Sequence, residues 1–257
     1  MIKATTLALA GAAMLGLSSL VQAAGSGFPL ESPNIDVGNE RSLQRGARTY
    51  VNYCMTCHSL SYMRYARVAQ DLGIPPKMVE DSLIFAVDDD GKPHKVTSMM
   101  ESAMSTEYGK QAFGVAPPDL SLTARSRGEA WLYTYLKSFY LDEGRAGLGS
   151  NNAVLKGSAM PNVFWQMQGT QAPVYEEHDD GQGHVSKTLV GFEPVTAGTQ
   201  SAQEFDKTVT DLVNFLSYAA EPGQERRRSM GMWVLLFMLV FTGLAWVLKK
   251  EYWRDVH

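Results

Sequence analysis

Apolar positions along this chain are of two kinds: long uninterrupted runs near each end, and stripes at helical spacing between them. The first run, Ala4 to Val21, follows Met1-Ile2-Lys3 and closes with Val21-Gln22-Ala23 before Ala24. A basic start, an apolar stretch and a small-residue end predict that residues 1–23 are a secretory signal, and hence export across a membrane. Ser18, Ser19 and Gln22 break the run before it is long enough to span. The second run, Met230 to Leu248, holds nineteen residues without a charge. At about 1.5 Å per residue it reaches about 28 Å, close to the thickness of a hydrocarbon core. It predicts one C-terminal transmembrane helix, with Arg226-Arg227-Arg228 before it, Lys249-Lys250 after it, and Trp233, Trp246, Tyr252 and Trp253 near its ends.

Between the runs, Asn39 to Tyr53 offers an N-cap, an early Glu40 and a stripe of Leu43, Gly46, Ala47, Tyr50 and Val51. Gly46 inside that stripe lowers helix propensity, so either it is tolerated there or another backbone packs close against it. A second helix is predicted over Glu129 to Leu141, with Trp131, Leu132, Tyr135, Leu136 and Phe139 on one side. A third is predicted over Ser201 to Ala220, opening with the capping-box pattern Ser201-x-x-Glu204. Pro173 to His178 and His184 to Phe192 flank Asp179-Asp180-Gly181-Gln182-Gly183, a pattern for a surface hairpin. Stretches around 86–97 and 142–158 are rich in turn formers and predict loops. The class is mainly α, with long loops and a small hairpin, and its few helices need a further apolar body to pack around.

With 257 residues, 45% hydrophobic and 19% charged, one globular domain is expected over 24–224, followed by an anchor and short tail over 225–257. Basic residues flank the second run on both sides, so they do not orient it. The signal does: an exported domain leaves only the tail from Lys249 to His257 inside. Setting aside Lys3 and the net +3 of residues 225–257, the whole-chain charge of −4 leaves about −8 on residues 24–224. Such a surface predicts a cationic partner and no nucleic acid.

The two cysteines, Cys54 and Cys57, stand too close for a structural disulfide framework. Cys54-Met55-Thr56-Cys57-His58 is the C-x-x-C-H pattern, in which both thiols add to haem vinyl groups and the adjacent histidine gives iron its proximal nitrogen. Zinc is disfavoured because there is no second cysteine pair. A thiol/disulfide pair is chemically sensible in an exported chain, but His58 and the helix leading into the motif favour haem. The sixth ligand is then methionine or histidine. Met160 stands out in the small-residue loop Gly157-Ser158-Ala159-Met160-Pro161, with Met99, Met100 and Met104 as rivals.

Four pieces in order, Cys54 to Tyr65, Phe113 to Leu122, Ala159 to Phe164, and Ala219-Ala220-Glu221-Pro222 ahead of the arginines and the terminal run, resemble the cytochrome c1 family. Its members are haem c subunits of the cytochrome bc1 complex, and the resemblance is to the bacterial form. It implies a cytochrome c-like helical domain around one covalent haem c, with His58 and Met160 as axial ligands. It also implies that Pro117 and Pro118 border the haem and that Arg125 or Arg127, preferably Arg127, lies near a propionate. The implied partners are cytochrome b, the Rieske iron-sulfur protein as electron donor, a soluble or membrane-tethered cytochrome c as acceptor, and membrane lipid. The implied place is the bacterial inner membrane, single-pass, with the haem domain periplasmic and the C-terminus cytoplasmic. Asp88-Asp89-Asp90 and Glu176, Glu177, Asp179 and Asp180 become candidates for the acceptor's docking face. A disulfide found in some bacterial members cannot form here, so the loop it would tie must be held by packing. Alternatives are a tethered monohaem cytochrome of another respiratory branch and a haem-based ligand sensor.

Overall fold

The computed structural model describes residues 27–87, 90–145, 147–179 and 185–255. The predicted signal segment, Asp88, Asp89, Asp180 and His184 therefore lie outside the described residues.

Two helices crossing at close range organise the domain. The first, α1 (Glu40–Tyr53), begins where the Asn39 side chain accepts the Ser42 amide at 3.1 Å, the N-cap expected from its sequence. The other, α8 (Ala202–Ala220), begins with a complete capping box in which Ser201 and Glu204 satisfy one another's backbone amides. They meet at Gly46. A Cβ there would stand 2.0 Å from the Asp211 carbonyl oxygen and 2.6 Å from the Phe215 Cβ. The glycine that weakens the helical pattern is thus what lets the second backbone approach. Tyr50 packs on Phe215 beside the crossing, with ring centroids 5.7 Å apart. A polar cluster seals the other side: Arg45 pairs with Asp211 at 2.5 Å, and Ser42 donates to the same carboxylate at 2.6 Å. Asn214 donates to Ser42 and to the Asp36 carbonyl.

Short elements fill the remainder. After α1 come β1 (Leu60–Arg64), α2 (Tyr65–Asp71), α3 (Pro76–Ser82), β2 (Met99–Met100), α4 (Thr106–Phe113) and α5 (Thr123–Arg127). Then α6 (Glu129–Lys137), β3 (Phe139–Leu141), β4 (Ser150–Asn152), α7 (Trp165–Gln168), β5 (Gly169–Asp179) and β6 (Val185–Ala197) lead to α8. Helix α6 stops four residues short of the expected Leu141. Gln171 takes the Lys137 and Phe139 carbonyls, and Phe139–Leu141 pair with β4 inside the 142–158 segment expected to be loop. The hairpin is longer than the expected segments at both outer ends, with Gly169 opposite Ala197, and it carries two register shifts. In place of a single hairpin, the described residues hold three two-stranded antiparallel sheets. The mainly helical class stands.

The core joins α1, α2, α6 and α8 with Tyr65, Phe139 and Phe164 fully buried among them. Beyond Glu221-Pro222-Gly223 runs α9 (Gln224–Tyr252), a continuous 29-residue helix with an apolar window of mean hydropathy 2.2 and no buried residue in that window. It is the one helix among the described residues long and apolar enough to cross a membrane, and it contains the whole predicted span.

Candidate cofactor site

The C-x-x-C-H turn grows directly out of the end of α1. Cys54 caps the helix by donating its amide to the Tyr50 carbonyl at 2.8 Å, and its own carbonyl then accepts the amides of Cys57 at 3.0 Å and His58 at 2.8 Å. One tight turn therefore carries both thiols and the imidazole. Two buried tyrosines brace it from inside: the Tyr50 hydroxyl donates to the His58 carbonyl at 2.6 Å, and the Tyr65 hydroxyl to the Met55 sulfur at 3.3 Å. Neither tyrosine was singled out for this role by sequence, although Tyr50 lies on the predicted α1 stripe one turn before Cys54.

Both cysteines are free thiols. Burial pushes the Cys54 thiol up to about 12 and raises that of Cys57 as well. A disulfide-exchange pair needs the opposite shift. Protonated thiols held three residues apart at a helix end suit addition to two vinyl groups, so the donor set fits a c-type haem.

His58 points Nδ1 at the Pro118 carbonyl, 2.7 Å away. A carbonyl only accepts, so Nδ1 carries the proton and the free lone pair is on Nε2. Burial lowers the imidazole's pKa, against the opposing pull of Pro118 and Asp119, and keeps the ring neutral, the form that binds metal. Pro118 is itself fixed. The 117–121 loop is laced to the strand after His58: Leu120 donates to Ser59 at 2.9 Å, Ser61 to Asp119 at 2.8 Å and Tyr62 to Ser121 at 3.2 Å. Asp119 also accepts the Ser121 amide. Burial works against its charge, yet the donors from Ser121 and Ser61 hold its carboxyl below the usual range.

A cleft of about 250 Å³ opens beside this loop, lined by Cys57, Ser59, Met104, Pro117 and Asp119 among others. A larger cleft of about 430 Å³ is lined by Arg45, Arg48, Tyr53 and Asp211 and includes none of His58, Pro118 or Met160.

The methionine candidates separate by position. Met100 is fully buried in the β1–β2 pairing and Met99 lies opposite Arg64. Met104 lines the smaller cleft. Met160 is half-buried within the β4-to-α7 loop, against the edge of the core. Its amide donates to the Ser158 hydroxyl at 3.3 Å. The arginines separate as well. The Arg127 guanidinium lies 5.1 Å over the Trp131 ring, whereas the charge of Arg125 bears on Glu221 at the end of α8. Of the acidic candidates, Glu177 is paired with Lys187 at 2.8 Å and Asp90 lies 3.6 Å from Lys92, so part of each cluster's charge is offset.

The sequence model described as the Cytochrome C1 family matches residues 34–256. Over 257 residues, covering all of this chain and 99% of each relative, the chain is 45% identical to cytochrome c1 of Allochromatium vinosum and 39% identical to the ammonia monooxygenase gamma subunit of Nitrosomonas europaea. It is 29% identical over 234 residues to cytochrome b/c1 of Bradyrhizobium diazoefficiens, covering 84% of this chain and 33% of that longer protein.

Proposed function

Because the chain belongs to the cytochrome c1 family, we propose that it takes one electron at a time from the Rieske iron-sulfur protein and passes it to a soluble or tethered cytochrome c. It is a membrane-anchored electron-transfer subunit of the bc1 complex and carries one covalent haem c. The observation that carries the finer reading is the Cys54–His58 turn, whose only open imidazole nitrogen is Nε2. A relative whose name joins cytochrome b and cytochrome c1 in one chain supports cytochrome b as the neighbour of α9.

The haem supplies the one-electron iron couple. The chain's residues attach it, orient it and set its surroundings. Cys54 and Cys57 would hold it through thioether bonds, each thiol adding sulfur and hydrogen across one vinyl double bond. His58 would hold the iron through Nε2, with Pro118 drawing on Nδ1 and so making the ring a stronger donor. Met160 would give the iron its second protein ligand. Arg127 offers a fixed charge to a propionate, which its seat on Trp131 favours over Arg125. Pro117 and Pro118 wall one edge. Residues 1–23 direct export, 24–224 form the periplasmic haem domain, and 225–257 hold the span and a cytoplasmic tail in a bacterial inner membrane. The net −8 of residues 24–224 favours encounter with a basic acceptor.

Purification in mild detergent tests this reading. Haem stain should remain on this chain after denaturing electrophoresis, and cytochrome b and the Rieske protein should copurify. Loss of the stain on denaturation, or isolation without cytochrome b, would sink it.

A further inference from the structure

Ser158 is 5% exposed, and each of its polar atoms is engaged. Its amide donates to Leu155 at 3.1 Å, and its carbonyl accepts from the Arg145 guanidinium. Its hydroxyl lies 2.7 Å from that of Tyr135, itself buried, and accepts the Met160 amide. The segment leading to it is tied as closely. Asn152, with no exposure, accepts the Val154 and Leu155 amides at 2.9 and 3.0 Å and donates to the Tyr135 carbonyl at 2.7 Å. Tyr135 stacks on Trp131 at 4.9 Å and 7°. The loop that delivers Met160 therefore hangs from α6 through a buried pair of hydroxyls and one asparagine.

A phenylalanine and an alanine could fill the Tyr135 and Ser158 positions, with the Met160 amide then left without its hydroxyl acceptor. What they would lose is direction, since a hydrogen bond fixes an angle and an apolar contact does not. Direction matters for Met160. Two rotatable bonds place its sulfur, so the sulfur holds one point in space only if the backbone is held first. The Ser158 hydroxyl holds it at the amide.

We propose that Tyr135 and Ser158 are positioning residues for Met160, their hydroxyl pair fixing its backbone so that the sulfur stays on the iron and the sixth position stays closed. The inference rests on Met160 as axial ligand, as proposed above. Tyr135→Phe and Ser158→Ala in the intact membrane complex test it against wild type and against Ser158→Thr, which keeps a hydroxyl. In both hydroxyl-deleted proteins the ferric sulfur-to-iron charge-transfer band should weaken. The midpoint potential should fall by about 60 mV, a tenfold shift in the one-electron equilibrium, because methionine ligation raises it. The ferrous form should bind carbon monoxide at least tenfold more tightly. Ser158→Thr should restore all three, and the double variant should be no worse than either single one. If both deletions lower only the unfolding midpoint, leaving band, potential and carbon monoxide response unchanged, the hydroxyl pair is packing and the inference fails. If Ser158→Ala does not accumulate, the near-isosteric Tyr135→Phe decides alone. A wild-type complex without the band would overturn the Met160 reading, and the inference with it.

Discussion

His58 is held at three atoms: its amide by Cys54, its carbonyl by Tyr50 and its Nδ1 by Pro118. Only the first hold is local. Tyr50→Phe removes a buried donor and leaves the His58 carbonyl without it, which should cost about 1–2 kcal/mol in denaturant unfolding, with covalent haem retained on a denaturing gel. Replacing both Cys54 and Cys57 by alanine should abolish that stain while the helix end, built from backbone bonds, still forms. At this scale the legible part of the site was the contiguous part. Two thiols and an imidazole within five residues announce their chemistry without a fold. Pro118 lies sixty positions from His58 and was reached only through the family resemblance. Tyr135 and Ser158 gave no functional signal of their own, because Tyr135 reads as one more position of the α6 stripe and Ser158 as one small residue of a loop, and neither pattern says that their hydroxyls meet.

Among the elements, the three helices with continuous apolar stripes were legible nearly to the residue at their capped ends. Asn39 and Ser201 mark starts that depend only on nearby side chains. The end of α6 was not, because Gln171, over thirty residues away, takes the carbonyl of its last residue, Lys137, and that of Phe139 beyond it. Strand β4 was hidden for a related reason. Ser150-Asn151-Asn152 has the composition of a turn, and is buried because its amides find partners in the fold. The crossing of α1 and α8 makes the clearest forecast here. Gly46→Ala would drive a Cβ into the Asp211 backbone, which no rotamer relieves, and should cost about 3 kcal/mol or more. Gly191→Ala, on β6 with nothing within 4 Å of the added carbon, should change stability by less than about 0.5 kcal/mol. Chemical denaturation of the two variants side by side checks both.

For the whole molecule, charge and anchor were legible early, since they depend on composition rather than on contacts. The pairing of Glu177 with Lys187, and of Asp90 with Lys92, was not, and it spreads the acidic attraction away from either cluster. Electron transfer to a basic cytochrome c should therefore slow as salt is raised past about 0.1 M, where the screening length is about 10 Å. Neutralising Glu176 and Glu177 together should reproduce only part of that slowing, as stopped-flow kinetics of the two proteins would show.

Only Glu221-Pro222-Gly223 separates α8 from α9, and Arg227 reaches back across them to Glu221, with one bond at 3.0 Å. A join that short and that tightly clasped gives the domain no lever arm. In the function proposed above, that makes the domain a fixed platform, and the travelling falls to the carriers on either side. A flexible six-residue insert at Gly223 would lengthen the join without touching the haem, and should slow delivery from the donor more than its intrinsic potential would explain.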